Sequence, residues 1–290
     1  MGVPQPGRKR EAVSTIPSVV LNNTVEIPQL GFGVFQIGPG DVRAATELAL
    51  HAGYRHIDTA AAYANEAGVG EAVRNSGIPR DEIFITTKLR NADQGYESAL
   101  QAFEKSRQEL GVDVIDLYLI HWPYPRHNLF VDTWKALEKL YAEGAVRAIG
   151  VSNFLQSHLD RILAEGEIVP AVNQIELHPS FQQTELTGYS AARGIAVEAY
   201  SPLGQGKDLT GTVVSDIAVK HGKSPAQVVL RWHLQRGIIV IPKSASAHRM
   251  HENIDVFDFS LDEDEVARIT GLEIGMRTGG DPATFDFPQV

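Results

Sequence analysis

The 290 residues are 43% hydrophobic, with 26 basic against 36 acidic side chains and no cysteine, which describes a globular chain of one large domain or two small ones. The missing cysteine excludes a disulfide framework, thiolate-held zinc or iron–sulfur and a cysteine nucleophile, and it suits a reducing, cytoplasmic setting. A net charge of −10 opposes the basic footprint that phosphate-backbone binding needs, and no apolar run reaches the roughly 18 residues that span a bilayer, so neither nucleic acid nor membrane is an expected partner.

Residues 1–17 carry Arg8, Lys9 and Arg10 with no apolar stretch behind them, and read as a disordered lead-in instead of a signal peptide. From residue 18 to 290 no linker or composition break divides the chain, so one domain is expected. Residues 18–21 and 24–27 read as a hairpin around a two-residue turn, Asn22-Asn23. Short runs rich in Val and Ile follow at 33–35, 56–57, 83–87, 114–120, 146–151, 171–175, 195–199 and 238–241. Stretches of helical period separate them, among them 41–52, 96–110, 130–142 and 224–235, several of which stop at glycines such as Gly53, Gly111 and Gly237.

Strands that alternate with helices imply parallel pairing. Eight such units over roughly 245 residues match a (β/α)8 TIM barrel, for which about 250 is typical. The rival is a doubly wound dinucleotide domain, and its fingerprint fails here. Neither Gly31-Phe32-Gly33-Val34-Phe35-Gln36 nor the run from Gly38 to Arg43 has the third small residue, and no GxxxxGK[ST] occurs. A bound dinucleotide would need other means.

In a (β/α)8 barrel the reacting groups come from the C-terminal ends of the strands. The polar residues that end the runs are Asp58, Lys88, His121, Ser152 with Asn153, Gln174, Tyr200 and Lys243. They recur about every 31 residues, the length of a βαβ unit. Tyr63 lies one turn beyond Asp58. A phenol is a poor acid alone, but a neighbouring ammonium favours the phenolate. Lys88 would supply that charge, Asp58 would hold the ammonium, and His121 would bond the carbonyl oxygen while Tyr63 gives its proton and a nicotinamide gives hydride. Singly, an Asp, a Lys or a Tyr is a surface residue and His121 a structural histidine; their joint placement at strand ends makes the case.

Read as strings, 53–60 with Tyr63, 85–89, 116–123, 149–154, 172–179 and 241–244 resemble the active-site segments of the aldo-keto reductases. The resemblance covers residues 20–272, and segments 202–207 and 253–259 look most like the bacterial group that contains 2,5-diketo-D-gluconate reductase. It implies a (β/α)8 barrel that reduces aldehydes or ketones, dicarbonyls and keto-sugar acids among them, with NADPH, Tyr63 as proton donor and Lys88, Asp58 and His121 as its partners. It assigns Ser152, Asn153 and Gln174 to the nicotinamide carboxamide, Tyr200 to stacking on the ring, and Ser201, Pro202, Leu203 and Gln205 to the pyrophosphate. Gly33, Val34, Asp58 and Ala245 are further expected cofactor contacts, and Glu252 and Asn253 match the adenine contacts. Lys243, Ser244 and Arg249 put two cations and a hydroxyl beside a helix start, a phosphate site that selects NADPH; Ser246 stands where some relatives have another arginine.

The carbonyl substrate would enter among Phe35, Tyr63, His121, Trp122 and the loop 89–95. There Arg90 replaces the aromatic of similar reductases and would either recruit a carboxylate or face solvent. The tail 271–290, with Arg277, Phe285 and Phe287, would close over the mouth. Trp134 and Trp232 read as packing, and the HxxH of His248 and His251 lacks a third ligand, so no metal is expected. Two other functions compete: a nicotinamide-binding regulatory protein on the same scaffold, and a metal-dependent hydrolase built on His56, Asp58 and His121. The intact catalytic set favours the reductase, working as a monomer as family members often do.

Overall fold

The computed structural model describes residues 16–287, so all but the last two residues of the expected lead-in lie outside it. Strands β1 (Ser18–Val20) and β2 (Glu26–Pro28) pair antiparallel, with Val20 opposite Glu26. Their connection has one residue more than the expected turn. Leu21 N–H donates to Val25 O at 2.8 Å, Thr24 N–H donates to Leu21 O at 2.9 Å, and Thr24 takes φ +69°. A left-handed third loop residue is what brings a three-residue hairpin back into register. The hairpin sits at the foot of the barrel, where Leu21 and Ile27 pack with Phe84, Leu117, Leu119, Val172 and Ile239 from the strand interiors.

Eight strands then run parallel, each bonded to the next: β3 (Phe32–Gly33), β4 (His56–Asp58), β5 (Phe84–Leu89), β6 (Ile115–Ile120), β7 (Val146–Ser152), β8 (Val172–Glu176), β9 (Ala196–Tyr200) and β10 (Ile239–Val240). Parallel bridges from Leu30 to Val240 and from Gly33 to Lys243 close the ring between β3 and β10. Each strand overlaps one of the eight apolar runs, although β3 shares only Gly33 with its run and β5 extends past its run to Leu89. The helices α1 (Val42–Ala52), α2 (Glu66–Asn75), α3 (Tyr96–Leu110), α4 (Phe130–Ala142), α5 (Gln156–Glu165), α6 (Thr184–Ala191), α7 (Thr212–His221), α8 (Pro225–Gln235), α9 (Ala247–Ile254) and α10 (Glu263–Thr270) surround it.

Local chemistry sets these boundaries. Before α8, Ser224 Oγ accepts from Gln227 N–H at 3.3 Å, Gln227 Oε1 accepts from Ser224 N–H at 2.9 Å, and Pro225 takes the first helical position, where its missing N–H costs nothing. The main core lies between strands and helices. Trp134, Trp232, Phe103 and Phe154 are fully buried there, each contributing about 2–3 kcal/mol by leaving water. Inside the ring the period-two alternation turns polar toward the strands' C-terminal ends: His56 and Asp58, Thr86 and Lys88, and Glu198 all point inward and are buried.

Candidate active site

Lys88, one residue short of the end of β5, has its Nζ 2.6 Å from Asp58 Oδ1 on β4 and donates to Thr59 O at 2.9 Å. Burial disfavours the ammonium, but the Asp58 charge and hydrogen bond, with Tyr63 and Glu198 adding, together outweigh it and hold Lys88 above its ordinary value. Tyr63 ends a short 3-10 turn, Ala61–Tyr63, that returns its ring over this pair, with Lys88 Nζ 5.2 Å from the ring centre. The His121 ring stands edge-on to Tyr63 at 5.6 Å. All four expected catalytic side chains therefore meet at the mouth of the barrel.

One electrostatic expectation is corrected. Burial pushes the Tyr63 phenol up and outweighs the downward pull of Lys88, with Asp58 and Glu198 adding to the rise. Tyr63 is thus a phenol, not a phenolate, at neutral pH. Burial, reinforced by Lys88, drives His121 well below the ordinary histidine value, so its ring is neutral. Its Nδ1 is buried without a hydrogen-bond partner, which leaves the other nitrogen to serve the cavity.

Gln174 on β8 has an unusual assignment. Its Nε2 donates to Asp58 Oδ2 at 2.8 Å and to Glu198 Oε2 at 2.9 Å. Both amide hydrogens are spent on carboxyl groups, so only the carbonyl oxygen of this side chain is left to meet a carboxamide. Ser152 Oγ donates to Gln174 O at 3.0 Å, and Asn153 Nδ2 donates to His121 O at 2.9 Å and to Ser152 Oγ at 3.1 Å. Tyr200 Oη donates to Asn153 Oδ1 at 2.8 Å. Asn153 holds this position with φ +64°, a conformation asparagine tolerates better than most residues.

Two adjoining cavities form one trough. The first, about 510 Å³, lies over the catalytic group and is lined by Gly33, Phe35, Asp58, Tyr63, His121, Trp122, Ser152, Asn153, Gln174 and Tyr200. The second, about 630 Å³, shares Phe35, Ser201, Gln205 and Lys243 with it and continues along Pro202 and Leu203 to Arg249, Glu252 and Asn253. An extended groove with an amide cluster at one end and Lys243 and Arg249 toward the other fits a phosphorylated dinucleotide: hydrogen-bonding groups meet an amide, cations meet phosphate. Val34, Ser244 and Ala245 line neither cavity. Val34 is fully buried and its O accepts from Asn65, while Ser244 Oγ turns to Ser246.

The substrate end differs from the expectation. Arg90 points away from the mouth into a separate cavity beside Glu66 and Lys105, paired twice with Asp93 at 2.8 and 3.1 Å. A short side-chain reach to Asp93, three residues on, settles its direction. The rest of the loop 89–95 supports the mouth from behind, Asn91 donating to Phe287 O and Gln94 to Trp122 O, both at 2.8 Å. The lining comes instead from the tail: Thr278, Gly279, Gly280, Phe285 and Phe287. Trp122 and Phe285 stack at 3.9 Å and 14°.

The aldo/keto reductase family model matches residues 29–274. The chain belongs to the aldo/keto reductase family. It is 55% identical over 271 residues to an aldo-keto reductase of Mycolicibacterium smegmatis, covering 93% of this chain and 98% of that protein. It is 50% identical over 266 residues to the glyoxal reductase of Bacillus subtilis, covering 91% and 96%. The crystal structure of an Asp-to-Ala variant of Gox0644 in complex with NADPH superposes with a TM-score of 0.90 at 45% identity, covering 93% of this chain and 99% of that one. The protein is thus an oxidoreductase enzyme of a family that reduces carbonyl compounds with NADPH.

In this reductase the hydrolase reading loses its ligands, since both Asp58 oxygens are taken by Lys88 and Gln174 and His56 Nε2 lies 3.0 Å from Thr86 Oγ1. Glu198 was not singled out by sequence, although a glutamate two residues before Tyr200 in an apolar run shares its inward face. His178 was passed over as part of a family string. Among the described residues no helix is long and apolar enough to cross a membrane.

Proposed function

We propose that this reductase converts neutral aldehydes and ketones, small dicarbonyls among them, to alcohols, with NADPH as hydride donor and Tyr63 as proton donor. The observation that carries the proposal is the Tyr63 ring held at the cavity between the Lys88–Asp58 ion pair and the His121 ring. When bound, the nicotinamide supplies the hydride. Tyr63 gives its phenolic proton to the carbonyl oxygen as that oxygen becomes an alcohol, and takes a proton back from solvent afterwards. Lys88 stabilises the phenolate left behind, Asp58 keeps the ammonium in place, and His121 orients the carbonyl. Ser152, Asn153 and the Gln174 oxygen hold the carboxamide, while Lys243 and Arg249 hold the phosphate that distinguishes NADPH from NADH.

The aromatic wall supports the substrate class. Phe35, Trp122, Phe285 and Phe287 face the carbonyl, and among the described residues the only cation lining that cavity is Lys243, shared with the cofactor groove. A keto-sugar acid, the substrate suggested by the likeness to the 2,5-diketo-D-gluconate reductase group, would bury its carboxylate unpaired now that Arg90 lies elsewhere. The B. subtilis relative named for glyoxal supports the dicarbonyl reading. All of the site's residues come from one barrel, which supports a single domain, and the family likeness suits a monomer; the cysteine-free sequence suits the cytoplasm.

Absorbance at 340 nm tests the reading with nitrobenzaldehyde, methylglyoxal and a diketo sugar acid. Tyr63→Phe should lower kcat by about 10²–10⁴ while tryptophan quenching by NADPH keeps its midpoint; a lost midpoint would make Tyr63 structural. Lys243→Ala should raise the Michaelis constant for NADPH far more than for NADH. Equal rises would remove Lys243 from phosphate recognition.

A further inference from the structure

Glu176, His178 and Ser180, at and just beyond the end of β8, are buried polar residues that the reduction above does not use. His178 Nε2 lies 3.0 Å from Glu176 Oε1, and its Nδ1 lies 2.7 Å from Asp208 Oδ2 and 3.1 Å from Ser180 Oγ. Nδ1 hydrogen-bonds Ser180 Oγ and meets Asp208 as an ion-pair contact, and a carboxylate near each nitrogen favours the imidazolium. Burial works against this cation, but Asp208 and Glu176 outweigh it and push the pKa up to about 9.

The two carboxylates are tied to different segments that line the trough. Asp208 sits in the turn Gly204–Leu209, where Gly204, Gln205 and Gly206 take φ of +56°, +53° and +88° and Gln205 lines both cavities. A β-carbon at Gly204 would stand 2.1 Å from Asp208 Oδ2, so the turn folds tightly over that carboxylate. Glu176 accepts from the tail: Thr278 N–H at 2.5 Å, Thr278 Oγ1 at 2.7 Å and Gly279 N–H at 2.8 Å. Ile274 and Met276 N–H donate to Ser180 O at 3.3 and 3.0 Å, so the tail's ties converge on the segment that carries His178.

We propose that His178 is a positioning residue that ties the turn along the cofactor groove to the tail over the substrate, so that NADPH and the carbonyl compound reinforce each other's binding. The inference rests on the reading of the second cavity as the NADPH groove. Coupling of this kind is reciprocal: each ligand tightens the other by the same factor.

The test uses the full chain as wild type, Asp208→Asn, Thr278→Val and the double variant. NADPH affinity is read by tryptophan quenching with benzyl alcohol, which NADPH cannot reduce, held saturating in the carbonyl site, and carbonyl affinity as KM for nitrobenzaldehyde at saturating NADPH. Asp208 lines neither cavity, yet Asp208→Asn should raise the carbonyl KM about fivefold with kcat nearly unchanged, and Thr278→Val should weaken NADPH by a similar factor. Because one break is enough, the double variant should be no worse than the worse single. Thr278→Ser, which keeps the hydroxyl, should restore both constants. Effects confined to each residue's own segment, or singles that multiply in the double, would overturn the coupling. If wild type shows no NADPH quenching, or Lys243→Ala leaves it unchanged, the cofactor reading fails and the coupling with it; an intact Lys243 effect beside uncoupled variants sinks the coupling alone.

Discussion

A carboxyl group without exposure, 2.9 Å from an amide that also serves Asp58, decides how the catalytic residues behave with pH. Burial, with the Asp58 charge next, pushes Glu198 up to about 8 from an ordinary 4.5, so at neutral pH it is an acid and not an anion. Asp58, Lys88 and Gln174 are its neighbours on one side, and His56 Nε2 lies 3.6 Å away on the other. Above pH 8 a second anion appears beside Asp58 and pushes the Tyr63 phenol further from giving up its proton. The wild-type kcat/KM should therefore fall through about pH 8, and Glu198→Gln, a neutral group of the same shape, should lack that limb. Stability follows the same group. A folded pKa above the unfolded one means the stability due to Glu198 is complete below pH 4.5 and is lost as pH rises to about 8, on the order of a few kcal/mol. Unfolding in denaturant at pH 5 and pH 9 would show a smaller loss in the glutamine variant. Equal losses, with the same alkaline limb in both proteins, would mean that Glu198 does not titrate there.

Elements were legible where one periodicity ruled. The eight strands lie on the eight Val- and Ile-rich runs because strands covered by helices outside and by neighbours' side chains inside need apolar residues on nearly every position. The strand-end residues Asp58, Lys88 and His121 were legible for the same reason, since a charge that terminates such a run has only the barrel mouth to face. What the pattern did not carry is long-range. The turn at Asn22 grew to three residues because Thr24 could take a left-handed conformation, which local propensity does not demand. The direction of Arg90 depends on its pairing with Asp93, and the tail, expected over the mouth, is held there by a contact no local pattern shows: Glu176, about a hundred residues earlier, binds Thr278 and Gly279. Glu198 and His178 lie inside strings whose apolar or family character hides a single buried ionisable side chain. A search for ionisable residues on the inward phase of each strand would have found Glu198 beside Tyr200.

At the scale of the whole molecule the barrel closes through its two shortest strands. β3 and β10 have two residues each, and the seam between them rests on the bridges at Leu30–Val240 and Gly33–Lys243 and on Gly33 N–H donating to Pro242 O at 3.3 Å. Closure is what removes exposed strand edges from a sheet of this kind. The strands approach so closely here that a β-carbon at Gly33 would lie 2.9 Å from Ile241 O, a backbone atom that cannot swing aside. Gly33 and Lys243 also line the trough, so the seam and the cofactor groove share their atoms. Gly33→Ala should thus cost about 1–3 kcal/mol by overpacking, a fall in Tm of about 2–4 °C for each kcal/mol in a chain of this size. It should weaken NADPH at the same time, because the strain falls on the strand that presents Lys243. Gly38→Ala is the control, since a β-carbon there meets nothing within 4 Å. Thermal melts with and without NADPH separate the outcomes. A lower Tm together with a smaller NADPH-induced rise places cofactor binding on the closure of the ring, whereas a lower Tm with an undiminished rise would mean that the groove keeps its shape independently of the seam.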